Sequence, residues 1–532
     1  MNSKHLFALC AGFLCVGAAH ASSATGVYNI RDFGAESGGA ALCTQAIQSA
    51  VDQCAKDGGG TVLFPPGTWL TGTVYLESHV TIRLENGCTV LGSKEKTHYG
   101  RPRTPQGRPD ETFSNWTIFA GRNLEHVALC GQGVIDGQGA NFKYKEGARP
   151  KNLYFDSCRD VLIEGVRLRN AGSWMQHYRN CDRLRIRDIS VFNHVSYNND
   201  GLNIDSCRDV AIIGCTVDSD DDGIVLKSLS MRPCENVTIS DCVVSSHCNA
   251  IKMGTESGGG FQNITVTNCA VCSPRYSQVI YGRQRGFTGV ALEIVDGGTL
   301  DRVTISNITI KGVTVPIFLR LGNRARTFEQ KQTKPGIGTL HNVMLSNIIA
   351  TDCSAIGCSI TGLPGHPIEN VTLANISLGF EGGGTTEDAA REIAERPDSY
   401  PESTMFGTLP SYGFFCRHVK GLRLQNVRFQ TSAPDYRHAL LLDDVENAVV
   451  DSLDAPFASG SAAMLRLNDC RNVCIRNCRP PEGTSVFLSL AGKRTNAVSV
   501  YDNSFEGVST ICEQGPEVAG SALIQWSNHA AP

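Results

Sequence analysis

One phrase recurs along most of this chain: a polar residue, often Asn or Asp, followed by alternating apolar residues. It reads Asp160-Val-Leu-Ile, Arg183-Leu-Arg-Ile, Asp209-Val-Ala-Ile, Asn236-Val-Thr-Ile and Asn263-Ile-Thr-Val, at intervals of 23, 26, 27 and 27 residues. It returns at Arg302, Asn342, Asn370 and Asn472. Alternation with period two marks a short strand with one buried face. Such a strand returning every 20 to 30 residues or so, with almost no helical pattern between, predicts a solenoid. The architecture expected is all-β, a single-stranded right-handed parallel β-helix whose coils pair with the coils above and below at roughly 4.8 Å. A β-propeller fits less well, because its blades repeat at roughly 40 residues. Asn at the turns is expected to hydrogen-bond its neighbours along the stack.

A solenoid needs its core ends closed. Thr44 to Lys56 places Ala46, Ile47, Ala50, Val51 and Cys54 on one face and meets Gly58-Gly-Gly, which predicts an amphipathic N-terminal capping helix. The apolar run Leu6 to Ala19 follows Lys4 and precedes Ala19-His20-Ala21, which reads as a secretory signal peptide over residues 1–21 with the mature chain from Ser22. The run is shorter than the roughly 20 residues needed to span a bilayer. Residues 22–532 then form one β-helix domain, secreted or periplasmic. One insertion, about residues 379–411, breaks the repeats with a Gly run, a short helical pattern from Asp388 to Glu395 and an aromatic, proline-containing stretch that predicts an ordered flap.

Export permits disulfides, but the cysteines are periodic. Cys215, Cys242 and Cys269 recur every 27 residues, and Cys158, Cys181 and Cys207 recur in similar phrases. That periodicity predicts small apolar thiols filling one site on successive coils rather than a disulfide framework. Metal binding is a weaker reading, because no Cys-x-x-Cys pair is matched by His or Cys at zinc spacing, and no metal or cofactor is expected. The net charge of -4, without a basic block, argues against nucleic acid as a partner. A monomer is expected.

Two coils carry an acidic turn entering a strand: Asn198-Asn199-Asp200-Gly201 and Asp220-Asp221-Asp222-Gly223. Asp200 and Asp222 are 22 residues apart, close to one coil, so they should stack on one outer face beside Asp221. Acids this close repel and raise at least one pKa, which suits a general acid beside a general base. A solvated acidic turn, or a calcium site of the kind used by β-helix lyases, is the alternative reading.

Over nearly all of the mature chain the sequence resembles glycoside hydrolase family 28, the polygalacturonases and rhamnogalacturonase-like enzymes. The opening Asp32-Phe-Gly-Ala, Gly58-Gly-Gly-Thr-Val and Pro65-Pro-Gly-Thr-Trp-Leu-Thr-Gly carry the likeness, as does Gly131-Gln-Gly-Val-Ile-Asp-Gly-Gln-Gly. Asn198-Asn199-Asp200 is similar to the family's Asn-Thr-Asp, and Asp221-Asp222 to its paired Asp. The resemblance implies Asp221 as general acid, Asp200 and Asp222 positioning and deprotonating water, and inversion, which needs the two groups about 6.5 to 9.5 Å apart. It implies a pectic polysaccharide or oligosaccharide as substrate.

Two family motifs differ here. A Gly-His-Gly is replaced by Ser246-His247-Cys248-Asn249, so that Asn249 or Cys248 stands where the histidine is expected and His247 lies one or two residues away. An Arg-Ile-Lys is replaced by Ala291-Leu292-Glu293, and an acid there repels a uronate. If Ile251, Leu292 and Leu319 point inward at one level, Lys252, Glu293 and Arg320 form an outward ladder, either a substrate site or a structural salt-bridge stack. Asn198, His247, Asn249, Lys252, Glu256, Glu293 and Arg320 are therefore candidate substrate-binding residues. Tyr400 and Tyr412, with Phe406 and Glu402, are expected to form one wall of the cleft. The leading function is an inverting hydrolase acting on rhamnogalacturonan or a branched oligogalacturonide. A β-helix lyase and a non-catalytic carbohydrate-binding or adhesin β-helix are the alternatives.

Overall fold

A computed structural model describes residues 26–100, 116–144, 147, 149–328 and 332–529. The expected signal peptide lies outside the described residues. Strands pair in parallel from Val27–Asn29, against Gly60–Phe64, to Leu523–Trp526, against Asn496–Tyr501, building the expected right-handed parallel β-helix.

The recurring phrase has a conformational cause. Its polar residues Asp160, Arg183, Asp209, Asn236, Asn263, Arg302, Asn342, Asn370 and Asn472 all sit in the left-handed region, with φ between 52° and 57°. Asn and Asp tolerate that region best among residues bearing a Cβ. The corner asparagines also pair between coils: Asn236 Nδ2 donates to Asp209 at 2.8 Å, and Asn263 Nδ2 to Asn236 at 2.7 Å. The apolar residue after each corner turns inward and stacks in register, Val161 on Leu184, then Val210, Val237, Ile264, Val303 and Val343. All are buried in one continuous core.

The cap is the helix Thr44–Lys56, with Ile47, Ala50, Val51 and Cys54 fully buried. It stops where Gly58, Gly59 and Gly60 all take positive φ. Among the described residues every cysteine is a free thiol, 16 of them buried. Cys181 N–H donates to Cys207 Sγ at 3.3 Å, one coil touching the next. Thiol titration of the denatured, unreduced protein is expected to find more than half of the 20 described cysteines free. Eight or more disulfides would contradict the stacked-thiol account.

The insertion between the strands Ile368–Phe380 and Ser411–Thr431 differs from its expected form. The helix is one turn, Thr386–Ala389, opened by a Thr385/Asp388 capping box. It does not run on to Glu395, because buried guanidinium groups claim the carbonyls of that stretch. Arg417 donates to Ile393 and Ala394, at 2.6 and 3.3 Å, and Arg320 to Glu395 and Arg396, at 2.7 and 3.1 Å.

Candidate active site

The acidic turns meet because of the register. Leu202 pairs with Ile224 and Ile224 with Ile251, which stacks Asp200, Asp222 and Asn249 on three successive coils. Glycine follows both acids for a steric reason: a Cβ on Gly201 would lie 2.6 Å from the Gly223 carbonyl, and one on Gly223 would lie 2.5 Å from that of Ala250. Buried polar side chains hold the turns. Asn199 Oδ1 accepts the Val195 and Ser196 amides at 2.7 and 2.6 Å, Asn193 Nδ2 donates to the Asp200 carbonyl at 3.0 Å, and Ser246 Oγ donates to the Asp221 carbonyl at 2.7 Å.

Asp200, Asp221 and Asp222 are 2%, 8% and 4% exposed. Burial, followed by the charge of Asp221, pushes the Asp200 carboxyl well above the usual range, and its Oδ1 has no hydrogen-bond partner. Burial and then Asp222 raise Asp221 to about 6. Asp221 Oδ1 accepts the Asp222 amide at 2.9 Å. Asp222 is contacted from two sides, with Asn249 Nδ2 donating to Oδ1 at 2.8 Å and Lys252 Nζ 3.3 Å from Oδ2.

Around the acids lies a lattice of paired charges. Lys227 Nζ sits 3.2 Å from Glu256 and 3.8 Å from Asp200, over the ring of buried Trp174. Lys252 also reaches Glu293 at 3.8 Å. Arg324 forks onto Asp296 and lies 3.8 Å from Glu256. Glu256 is held down at about 2, burial opposing and Lys227 with Arg324 prevailing. Glu293 goes the other way: burial lifts it to about 8 against the pull of Lys252. From the insertion, Tyr400 accepts a hydrogen bond from Thr255 Oγ1 at 3.0 Å and lies near Lys252 and Arg324. Glu402, raised by burial to about 7, also feels Lys252 and Asp222.

Several expected site residues lie elsewhere. Lys252 pairs in register with Ala291, whereas Glu293 pairs with Arg320, so the three form no level ladder. Arg320 is 1% exposed and spends its donors on Thr361, Gly362 and the insertion, which makes it an anchor of the flap and not a substrate contact. Tyr412 is core, its hydroxyl donating to the Pro456 carbonyl at 2.6 Å, and Phe406 is buried with Leu409 and Phe415. Only the Tyr400 to Glu402 end of that stretch reaches the acids. His247 is fully buried, turned onto the Arg283 carbonyl and the His194 ring rather than toward the cleft. Asn198 is half-buried and accepts from Arg149 at 2.9 Å. Lys227, Trp174 and Arg324 were not singled out in the sequence. Of these, Lys227 had a signal, since its place beyond Asp222 alternates outward along Ile224–Ser228.

The family model described as glycosyl hydrolases family 28 matches residues 76–396, more than half of the chain. A Vitis vinifera protein named "Probable polygalacturonase" is 33% identical over 215 residues, covering 37% of this chain and 43% of that protein. An "Exo-poly-alpha-D-galacturonosidase" from Dickeya chrysanthemi is 32% identical over 125 residues, 21% of this chain and 20% of its own length. The chain thus spans less than half the length of these curated relatives. A Thermotoga maritima exopolygalacturonase structure shares the fold, with a TM-score of 0.59 at 20% identity over 76% of this chain and 91% of the other. Among the described residues no helix is long and apolar enough to cross a membrane. With the family model covering most of the coils that carry the acidic stack, the chain belongs to glycosyl hydrolases family 28.

Proposed function

We propose that the protein is an exported, monomeric, inverting glycoside hydrolase of pectic material, in which Asp221 protonates the leaving oxygen while Asp200 and Asp222 hold and deprotonate the attacking water. The supporting observation is the convergence of three nearly buried carboxylates from adjacent coils, with cations beside two of them. Burial and mutual repulsion raise Asp200 and Asp221, and a proton held among stacked carboxyls is what a two-carboxylate hydrolysis draws on.

The charge lattice favours a particular substrate. Lys227, Lys252 and Arg324 are each already matched by carboxylates and have little attraction left for a further anion. A galacturonate seated on the acids meets repulsion there. A neutral sugar at the scissile bond, with uronates in neighbouring positions, fits better, which points to rhamnogalacturonan or a branched oligogalacturonide. A product screen over pectic oligosaccharides tests this. The highest kcat/KM is expected on rhamnogalacturonan or branched substrates. A preference for linear oligogalacturonides contradicts the substrate assignment, unsaturated products indicate a lyase, and no turnover on any fraction indicates a binding protein.

Tyr400 is 48% exposed and offers a flat face beside Lys252. Sugar stacking on that ring gives the flap its role as one wall of the cleft, favouring chain ends or short oligomers. Tyr400→Ala is expected to raise KM on oligosaccharides about 2- to 10-fold, since such ring contacts contribute about 0.5 to 1.5 kcal/mol. Thermal stability should fall only slightly, through loss of the Thr255 hydrogen bond and the ring's contacts with Lys252 and Arg324. An unaltered KM places the flap away from the substrate.

A further inference from the structure

Three successive coils carry a second stack, behind the acids. Asn193, Ser219 and Ser246 pair in register. The residues immediately after them are His194, Asp220 and His247, spaced by 26 and 27. All three are buried, at 2%, 0% and 0% exposure. The two imidazoles meet edge to face with centroids 5.2 Å apart, and one nitrogen or oxygen from each of the three residues lies within 4.8 Å of the others.

The hydrogen bonds decide which nitrogens carry protons. His194 Nε2 is 2.9 Å from Asp218 Oδ1, and His247 Nδ1 is 3.0 Å from the Arg283 carbonyl. Both partners are acceptors, so in the neutral rings these nitrogens are the donors. His194 Nδ1 and His247 Nε2 are then lone-pair acceptors, and neither has a hydrogen-bond partner although both are buried. Asp220 Oδ1 lies 4.0 Å from His194 Nδ1. Lone pairs thus converge in a buried site. Asp220 does have another task, accepting the amides of Ile280 and Tyr281 at 2.8 Å each and so tying down the loop between the strands ending at Cys272 and starting at Thr288. That accounts for the carboxylate but leaves both imidazole lone pairs unexplained.

We propose that His194, Asp220 and His247 bind a divalent transition-metal ion, with Zn²⁺ the best match. Two imidazoles and one carboxylate suit Zn²⁺, whereas Ca²⁺ and Mg²⁺ take oxygen ligands. Each imidazole already has the outer acceptor that orients a metal-bound histidine. The ion has a structural role. Asp220 adjoins Asp221 and Asp222, and the loop it holds supplies the Arg283 carbonyl, so the ion clamps that loop to the turn that carries two of the acids.

The test uses the full chain, stripped with a chelator and titrated with ZnCl₂ by calorimetry and with CoCl₂ by visible absorption. One equivalent of Zn²⁺ should bind and raise Tm. Co²⁺ should give d–d bands without thiolate charge transfer, which separates this site from the many cysteines. His194→Ala and His247→Ala should each lose the ion, and Asp218→Ala, which removes only the outer acceptor, should weaken binding about 10- to 100-fold. If wild type takes up neither ion, if uptake survives both histidine substitutions, or if the Co²⁺ spectrum shows thiolate ligation, the proposal is overturned. Should the histidine variants misfold, Asp218→Ala decides, and unchanged affinity there counts against the site.

Discussion

Asp221→Asn is expected to lower kcat about 10²- to 10⁴-fold, the usual contribution of a positioned general acid, while leaving Tm and substrate affinity nearly unchanged. The amide has the shape of the carboxyl and its oxygen can still accept the Asp222 amide, a contact of 2.9 Å in wild type. What it lacks is a proton for the leaving oxygen. A substrate with an activated leaving group needs little protonation and should lose much less rate. Wild-type turnover on a poor leaving group would remove Asp221 from the role proposed for it.

Glu256→Gln should have the largest effect on stability. Its carboxylate lies 3.2 Å from Lys227, itself buried, and 3.8 Å from both Arg324 and Arg326. Removing one partner from a buried ion pair costs about 3 to 5 kcal/mol, because the remaining charge stays desolvated. The pH dependence follows from the sign of the shift. The folded pKa, about 2, is below the ordinary value of about 4.3 for Glu. The stabilisation is therefore fully present above about pH 4.3 and is lost as pH falls toward the folded value. Thermal melts at pH 7, 4 and 3 should show wild type losing Tm steadily over the acid range, and Glu256→Gln starting lower and falling less. A variant as stable as wild type at pH 7 would show that the lattice around Lys227 carries no such energy.

Much of the frame could be read from sequence because each coil states its own register. The corner Asn and Asp residues mark positive φ, and the inward Val and Ile after them need no long-range information. The acidic stack was legible for the same reason, since Asp200-Gly201 and Asp222-Gly223 fall one short coil apart. The Lys252, Glu293 and Arg320 ladder was misread where the period fails. The loop between Cys272 and Thr288 lengthens that coil, and counting across it set Lys252 two residues out of step with Glu293. The aromatic insertion divided similarly. Composition announced an ordered flap, but which rings face solvent depends on where Arg320 and Arg417 pull its carbonyls, and both come from coils distant in sequence. The buried pairing of His194 with His247 had no local signal either, because each residue is unremarkable within its own coil.

The central claim is that the stacked acids hydrolyse a glycosidic bond by a single displacement. Proton NMR of the first-formed product, recorded on the preferred pectic oligosaccharide before mutarotation, tests it most directly. An α-linked substrate should release the β-anomer, saturated, at the new reducing end. Release of the α-anomer, or of an unsaturated sugar, would contradict the account.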